Sequence, residues 1–283
     1  MNIKKRKKIL LVGGEGFIGR NIVDELQGNY DCYSIGIEKS PFFRGKRGDT
    51  YISANPYTEK IEGIFDVMIH LVDNAVPIDN FKTQEKRLLD NVSLTENAQI
   101  ILFSSAVLYA NPTSEYAQRK LALESVVSGY TKEKNIKLVI FRLFNIFGKY
   151  QMPFKQGSFV ANVICNHLMH VPTEILDMNA KRDFMFAGDM AKFVRFVIET
   201  EYNGSTDLAT QKLSTLSEMI VEIEEKVVYE KLNILDKGMH EDIVCPLAKN
   251  ILIKNVVLTS MEKRLQEVYN FYKNNIQIIN MKK

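Results

Sequence analysis

Lys8-Ile9-Leu10-Leu11-Val12-Gly13-Gly14-Glu15-Gly16-Phe17-Ile18-Gly19 sets how this chain is read. One lysine opens a continuous apolar run, the mark of a strand covered on both faces. Gly13, Gly16 and Gly19 then form the pattern G-x-x-G-x-x-G, and Phe17–Leu26 sets Ile18, Ile22, Val23 and Leu26 at helical spacing. The tight turn calls for a residue that tolerates φ > 0. Missing side chains let backbone N–H groups approach a pyrophosphate, and the third glycine lets helix and strand pack closely, with the helix N-terminus facing the anion. Set between a strand and a helix, the motif predicts a dinucleotide site at Gly13, Gly16, Phe17, Ile18 and Gly19. The alternative is a glycine turn without a ligand.

Farther along the chain, Cys32–Ile37 reads as a second strand and Thr50–Ser53 as a third. Val67–Val72, Ile100–Phe103 and Leu138–Leu143 read as later parallel strands, with helices at about Lys82–Val92 and Tyr116–Thr131. This alternation predicts an α/β fold, a doubly wound parallel Rossmann sheet with right-handed crossovers. Past Gly148 the rhythm loosens. Helices are expected at Ser158–Leu168 and about Asp189–Thr200, from a capping box at Thr215-x-x-Glu218 to about Val227, and from near Ser260. The expected organisation is a dinucleotide-binding domain over 1–148, to which the chain returns at about 183–203. A smaller, interleaved α/β C-terminal lobe over 149–283 would bind substrate.

The 283 residues suffice for one large domain or two intimate ones. Apolar residues are 46% and charged residues 25%, which excludes a disordered chain. A formal charge of +3 gives no footprint for nucleic acid. Cys32, Cys165 and Cys245 are odd in number and far apart, so they read as free thiols in a reducing compartment. No apolar run reaches the ~20 residues of a membrane span. The basic run Lys4–Lys8 precedes an apolar segment too short for a signal peptide. A cytoplasmic protein is the working class.

The end of the second strand bears on the cofactor. An acidic residue about 20 positions beyond the glycine loop would hold a ribose 2′-hydroxyl and favour NAD. Glu38 has that spacing, two residues past Gly36 at the strand's end. Lys39, Arg44, Lys46 and Arg47 lie close by and would instead accept a 2′-phosphate, or form a solvated basic loop. NAD and NADP both remain open. Leu71, near the end of the strand read at Val67–Val72, joins the cofactor set.

Tyr116-Ala117-Gln118-Arg119-Lys120 places a phenol and an ammonium on one helical face. A tyrosine with a pKa of about 10 is a poor base at neutral pH. A neighbouring cation stabilises its phenolate. Ser104 and Ser105 close the run Ile100–Phe103 at a strand's C-terminal edge, where open α/β sheets bind ligands. A hydroxyl there can orient a substrate oxygen beside the phenol.

The order GGEGFIG, IHLV, FSSAVLYA, YAQRK, RLFNIFG and RDFMFAGDMA resembles the extended short-chain dehydrogenase/reductases, the NAD-dependent epimerase/dehydratase family acting on nucleotide sugars. The likeness runs along nearly the whole chain. It implies Ser105, Tyr116 and Lys120 as the catalytic trio, with Lys120 also positioning the nicotinamide ribose. It further implies a helix asparagine supporting a proton relay, a place for which Asn80 and Asn91 compete, and a homodimer through the helices about Lys82–Val92 and Tyr116–Thr131. Asn145 of Arg142-x-x-Asn145-x-x-Gly148 resembles the asparagine near the substrate diphosphate, and Arg182 the arginine that clamps it. A guanidinium fork suits phosphate oxygens; an ion pair of Arg182 with Asp183 or Asp189 is the ordinary alternative.

Departures narrow the chemistry. Only the ten residues 106–115 separate Ser105 from Tyr116, where many members carry a longer insertion. Ala106-Val107 stands where the 4,6-dehydratases of the family carry an adjacent Asp-Glu pair, so dehydration is not expected. What remains is 4-keto-sugar reduction or epimerisation through a keto intermediate, with a non-catalytic dinucleotide sensor on the same fold as the alternative. His167 and His170 lack the further ligands of a metal site, so no metal is expected. His70, inside an apolar strand, reads as a packed, hydrogen-bonded residue.

Overall fold

The computed structural model describes residues 6–43, 45, 48–72, 77–154, 158–239 and 245–280, with the side chains of 78 and 79 left aside. Two compact units emerge: residues 1–143 with 191–207, and residues 144–190 with 208–283.

The first unit is built on a seven-stranded sheet. Its strands are β1 (Lys8–Val12), β2 (Asp31–Gly36), β3 (Asp49–Ser53), β4 (Ile64–His70), β5 (Ser93–Ser105), β6 (Lys137–Leu143) and, late in the chain, β11 (Gly204–Leu208). They lie in the order β11-β6-β5-β4-β1-β2-β3. Every ladder from β6 to β3 is parallel, and the order reverses after β1, with β2 on one side and β4 on the other. Such a reversal opens a crevice at the strands' C-terminal ends. Helices α1 (Phe17–Leu26), α2 (Ile78–Asp90), the single turn α3 (Val107–Ala110) and α4 (Glu115–Lys134) connect these strands. One core joins Leu10, Val12, Ile35, Met68, Ile100 and Leu102 of the sheet to Phe81 and Leu88 of α2 and Leu123 and Val127 of α4.

Two expected boundaries move. The strand expected at Val67–Val72 runs from Ile64 to His70, and the one expected at Ile100–Phe103 extends back to Ser93. Ile64 pairs with Ser93, and a register shift between Phe65 and Val67 absorbs the irregularity. The added residues Ser93–Asn97 are polar or half-exposed, so they lack the apolar signature of a covered strand.

The second unit holds three short two-stranded ladders: β7 (Asn145–Phe147) with β10 (Phe184–Phe186), β9 (Lys181–Arg182) with β12 (Ser214–Thr215), and β8 (Thr173–Ile175) with β13 (Ile234–Asp236). Its helices are α5 (Phe159–Leu168), α7 (Leu216–Ile223) and α8 (Met261–Asn280), while α6 (Ala187–Glu199) carries the chain back to the first unit. Thr215 and Glu218 form the capping box that opens α7, which ends in a π-turn at Glu224–Val228. Val160, Ile164, Phe184, Phe186, Ile223, Leu265, Val268 and Tyr272 form the core. The buried Tyr272 hydroxyl donates to the carbonyls of Gly148 (3.2 Å) and Gln151 (2.7 Å), pinning the loop after β7.

All three cysteines are free thiols; Cys32 and Cys165 are buried, and burial pushes each up to about 12. Among the described residues no helix is long and apolar enough to cross a membrane.

Candidate active site

The three glycines of the first turn are needed for different reasons. Gly13 has φ +84°, and its N–H donates to the Ile35 carbonyl at 3.0 Å, so the turn leans over the end of β2. A Cβ on Gly13 would also meet Val72 Cγ1 at 2.8 Å and Leu71 Cβ at 3.5 Å, which places Leu71 beside the turn. A Cβ on Gly19 would lie 2.4 Å from the Gly14 carbonyl oxygen, so helix and turn touch backbone to backbone. Gly16 is the N-cap of α1 with ordinary extended angles (φ −76°, ψ 178°); its Cβ would meet only Gly13 O, at 3.3 Å. Among the described residues no side chain caps α1, and no acidic residue stands in its first turn. The N–H groups of Phe17, Ile18 and Gly19 thus head a helix that offers its positive end with no side-chain cap and no acid in its first turn. This cradle fits the pyrophosphate of a dinucleotide.

Beyond Gly36, Glu38 and Lys39 are exposed. The Lys39 ammonium lies 4.0 Å above the Phe43 ring centroid and 5.6 Å from that of Tyr51. Arg44, Lys46 and Arg47 lie outside the described residues.

Tyr116 and Lys120 occupy the first two turns of α4, which packs on β5, α2 and α3. The Lys120 Nζ is 5.5 Å from the Tyr116 ring centroid. Lys120 is 5% exposed and Tyr116 39%, so a buried cation underlies a reachable phenol. Ser105 ends β5, paired with Leu143, and its Oγ accepts from Val107 N–H at 3.2 Å. Ser105, Tyr116, Lys120 and the glycine turn all belong to the first unit. Asn145 starts β7 opposite Phe184, and Arg182 lies in β9 opposite Ser214, both in the second unit. Arg182 Nη1 donates to the Lys181 carbonyl at 2.9 Å. Of the two carboxylates weighed as its partners, Asp189 accepts from Thr259 and pairs with Arg264, and Asp183 accepts from Thr210.

The two competing asparagines part here. Asn91 Nδ2 donates to the Pro56 carbonyl at 3.0 Å, a pin for the loop before β4, whereas Asn80 is exposed on α2. His70 is fully buried, with Nε2 2.8 Å from Glu85 Oε2, while Glu85 Oε1 accepts from the Tyr57 hydroxyl at 3.1 Å.

Sequence reasoning missed two polar clusters. In the first, Arg20 forks onto Asp49 (3.2 and 2.9 Å) and reaches Glu15 Oε1 (3.2 Å), and Glu15 Oε2 accepts from Ser40 N–H at 2.8 Å. In the second, Arg142 forks onto Glu124 (2.9 and 2.8 Å) and donates to the Tyr109 hydroxyl (2.9 Å), which donates to Asp207 (2.9 Å). The paired carboxylate raises the Arg142 pKa, and burial raises that of Tyr109. Tyr116, Lys120 and Glu124 share one helical face at i, i+4 and i+8, so the spacing of α4 held the signal for its half of the second cluster.

Residues 9–207 match the NAD dependent epimerase/dehydratase family. The chain belongs to that family. Among curated relatives it is 24% identical over 261 residues to UDP-glucuronic acid decarboxylase 2 of Arabidopsis thaliana, covering 79% of this chain and 58% of that protein. It is also 24% identical over 265 residues to dTDP-4-dehydro-6-deoxyglucose reductase of Escherichia coli, covering 79% and 83% respectively. The chain thus spans less than two thirds of the first relative's length. Its fold is similar to that of UDP-N-acetylglucosamine 4-epimerase from Methanobrevibacter ruminantium, solved with UDP-N-acetylmuramic acid, with TM-score 0.76, 20% identity, and 96% of this chain and 100% of that one covered. Family membership and the glycine cradle agree on a nicotinamide dinucleotide, with NAD and NADP undecided between them.

Proposed function

We propose that this chain is an NAD(P)-dependent enzyme that transfers a hydride to or from a carbon of a nucleotide-linked sugar, as a 4-keto-sugar reductase or as an epimerase. When bound, the dinucleotide supplies or accepts that hydride. Tyr116 gives its phenolic proton to the sugar oxygen during reduction and takes it back as phenolate during oxidation. Lys120 stabilises the phenolate and holds the nicotinamide ribose, and Ser105 orients the sugar oxygen by hydrogen bonding. Asn145 and Arg182, in the second unit, hold the sugar's diphosphate, and Asn80 supports proton exchange from α2. The first unit is then the dinucleotide-binding domain and the second the substrate lobe. The observation that carries the reading is the Tyr116–Lys120 pair, a buried ammonium 5.5 Å from a reachable ring, in the same unit as the glycine cradle.

The named relatives, a nucleotide-sugar decarboxylase and a nucleotide-sugar reductase, support the substrate class. Ala106-Val107 offers no carboxyl acid or base for water elimination, which supports reduction or epimerisation over dehydration. The reading includes a homodimer through α2 and α4, whose shared groove is lined by Lys82, Lys86, Arg87 and Asp90 of α2 and by Glu133 of α4. Two-fold pairing would bring those opposite charges together. Free, buried Cys32 and Cys165 suit a reducing cytoplasm.

A panel of 4-keto and 4-hydroxy sugar nucleotides tests the reading. Stoichiometric loss of reduced nicotinamide marks the reductase, and inversion at a sugar carbon without net cofactor change marks the epimerase. Tyr116→Phe should lower turnover at least ~100-fold and leave dinucleotide affinity within about threefold. Full turnover by that variant would sink the assignment, and a wild-type chain that binds dinucleotide yet converts no sugar nucleotide would be a sensor.

A further inference from the structure

The residue that decides between NAD and NADP should stand at the end of β2, where an acidic side chain ordinarily meets the adenosine ribose. This chain has Gly36 there, and among the described residues a Cβ on Gly36 would meet nothing nearer than Glu38 O at 3.7 Å. Glu38 is two residues farther on and exposed. The carboxylate that does reach this place comes from the glycine turn. Glu15 projects past the end of β2 to accept Ser40 N–H at 2.8 Å through Oε2, while Oε1 receives Arg20 at 3.2 Å. Its side chain is 7% exposed.

A loop N–H and a guanidinium are the donors that would bind a phosphate. Here both are spent on a carboxylate of the chain itself. Arg20 is held further by Asp49, so one guanidinium is shared between two carboxylates. The exposed Lys39 rests on the Phe43 and Tyr51 rings. A ribose 2′-hydroxyl can donate to a lone pair left on Glu15, whereas a 2′-phosphate would meet a buried anion that already engages Arg20 and the Ser40 N–H.

We propose that Glu15 occupies the 2′-phosphate position from within the protein and makes this chain selective for NAD over NADP. The inference rests on the dinucleotide-binding reading of the glycine turn. Glu15 is thereby a specificity-determining residue that the spacing rule, pointing to Glu38, passes over.

Calorimetric titration of the full chain with NADH and NADPH tests it. The wild type should bind NADH more tightly by about tenfold or more, the scale of one charge-assisted hydrogen bond. Glu15→Gln keeps the shape and removes the charge, and should shrink or reverse that ratio by a similar factor. Glu15→Ala is the second variant, with Arg20 still held by Asp49. Adenosine 2′,5′-bisphosphate against 5′-AMP should show the same preference and the same reversal, isolating the 2′ end from the rest of the ligand. A wild type that binds both dinucleotides equally or prefers NADPH overturns the proposal. So does a Glu15 variant that loses affinity for both in equal measure, since a merely structural role leaves the ratio fixed. If neither dinucleotide binds the wild type, the glycine-turn reading itself falls and takes the inference with it.

Discussion

Two helices of the first unit begin in opposite ways. At the start of α1, Gly16 offers no side chain to the first N–H groups, and the first turn holds no acid. At the start of α4, Ser114 Oγ accepts from Ala117 N–H at 3.2 Å and donates to the Asn111 carbonyl at 2.9 Å, with Glu115 in the first turn. Every helix leaves its first N–H groups without intrahelical partners, and most satisfy some of them locally. The chain therefore completes α4 by itself and leaves α1 to be completed from outside. Under the proposed function each arrangement suits its helix, since α1 would receive an anion while α4 holds a phenol and an ammonium in fixed register.

The largest effect should come from giving α1 the cap it lacks. Gly16→Asp has suitable angles, and only Gly13 O lies near the new Cβ, at 3.3 Å. Its carboxylate would cap the helix and occupy the pyrophosphate cradle. Dinucleotide affinity should fall by ~100-fold or more, while the melting temperature stays level or rises with a cap worth about 0.5–2 kcal/mol. Gly19→Ala should do the reverse in order of cause, because its Cβ would lie 2.4 Å from a backbone oxygen. Stability should drop by about 1–3 kcal/mol, with binding following. A Gly16→Asp protein that melts as early as Gly19→Ala would erase the distinction between a glycine kept for space and one kept for packing.

Next in size is the brace behind α4. Glu124, one turn beyond Lys120, is 8% exposed and forked by Arg142 from β6, which also reaches Tyr109. Arg142→Met strands that carboxylate, and denaturant unfolding should show a loss of about 1–3 kcal/mol. Adding Glu124→Gln should restore part of it, since the two residues act as one unit. Additive losses in the double variant would mean the brace is decorative and that α4 keeps its register by packing alone.

How legible was this molecule? The glycine turn could be read because its constraint is local: a positive φ at Gly13 and a backbone contact at Gly19 leave few other residues possible. The closeness of Tyr116 and Lys120 on α4 was legible because a helix has a fixed period. Glu15 was not, because its meaning depends on Arg20 and on Asp49 and Ser40, brought to it by β3 and the loop after β2. Arg142 was hidden similarly: Glu124 lies on the Tyr116 face by arithmetic, but its partner comes from a neighbouring strand. The extra length of β5 was invisible for another reason, since Ser93–Asn97 pairs through backbone groups that carry no hydrophobic pattern. Interactions within one turn of chain were readable, whereas ion pairs between distant segments needed the fold.

The smallest effect is also the one that tests the contrast from the side of α4. Ser114→Ala removes one cap and should cost about 1 kcal/mol. Tyr116 is only the second residue of α4, so fraying of the first turn displaces the phenol while the glycine cradle is untouched. Turnover should therefore fall more than dinucleotide affinity does. Ser114→Asp restores a cap acceptor at the same place and should recover both stability and turnover. That outcome sets one residue type in two settings: an aspartate is harmless at the head of α4, where the protein supplies its own acceptor, and ruinous at the head of α1, where the ligand must supply it. If aspartate instead cripples both positions alike, or neither, then the two helix starts do not differ in what they are left open to receive.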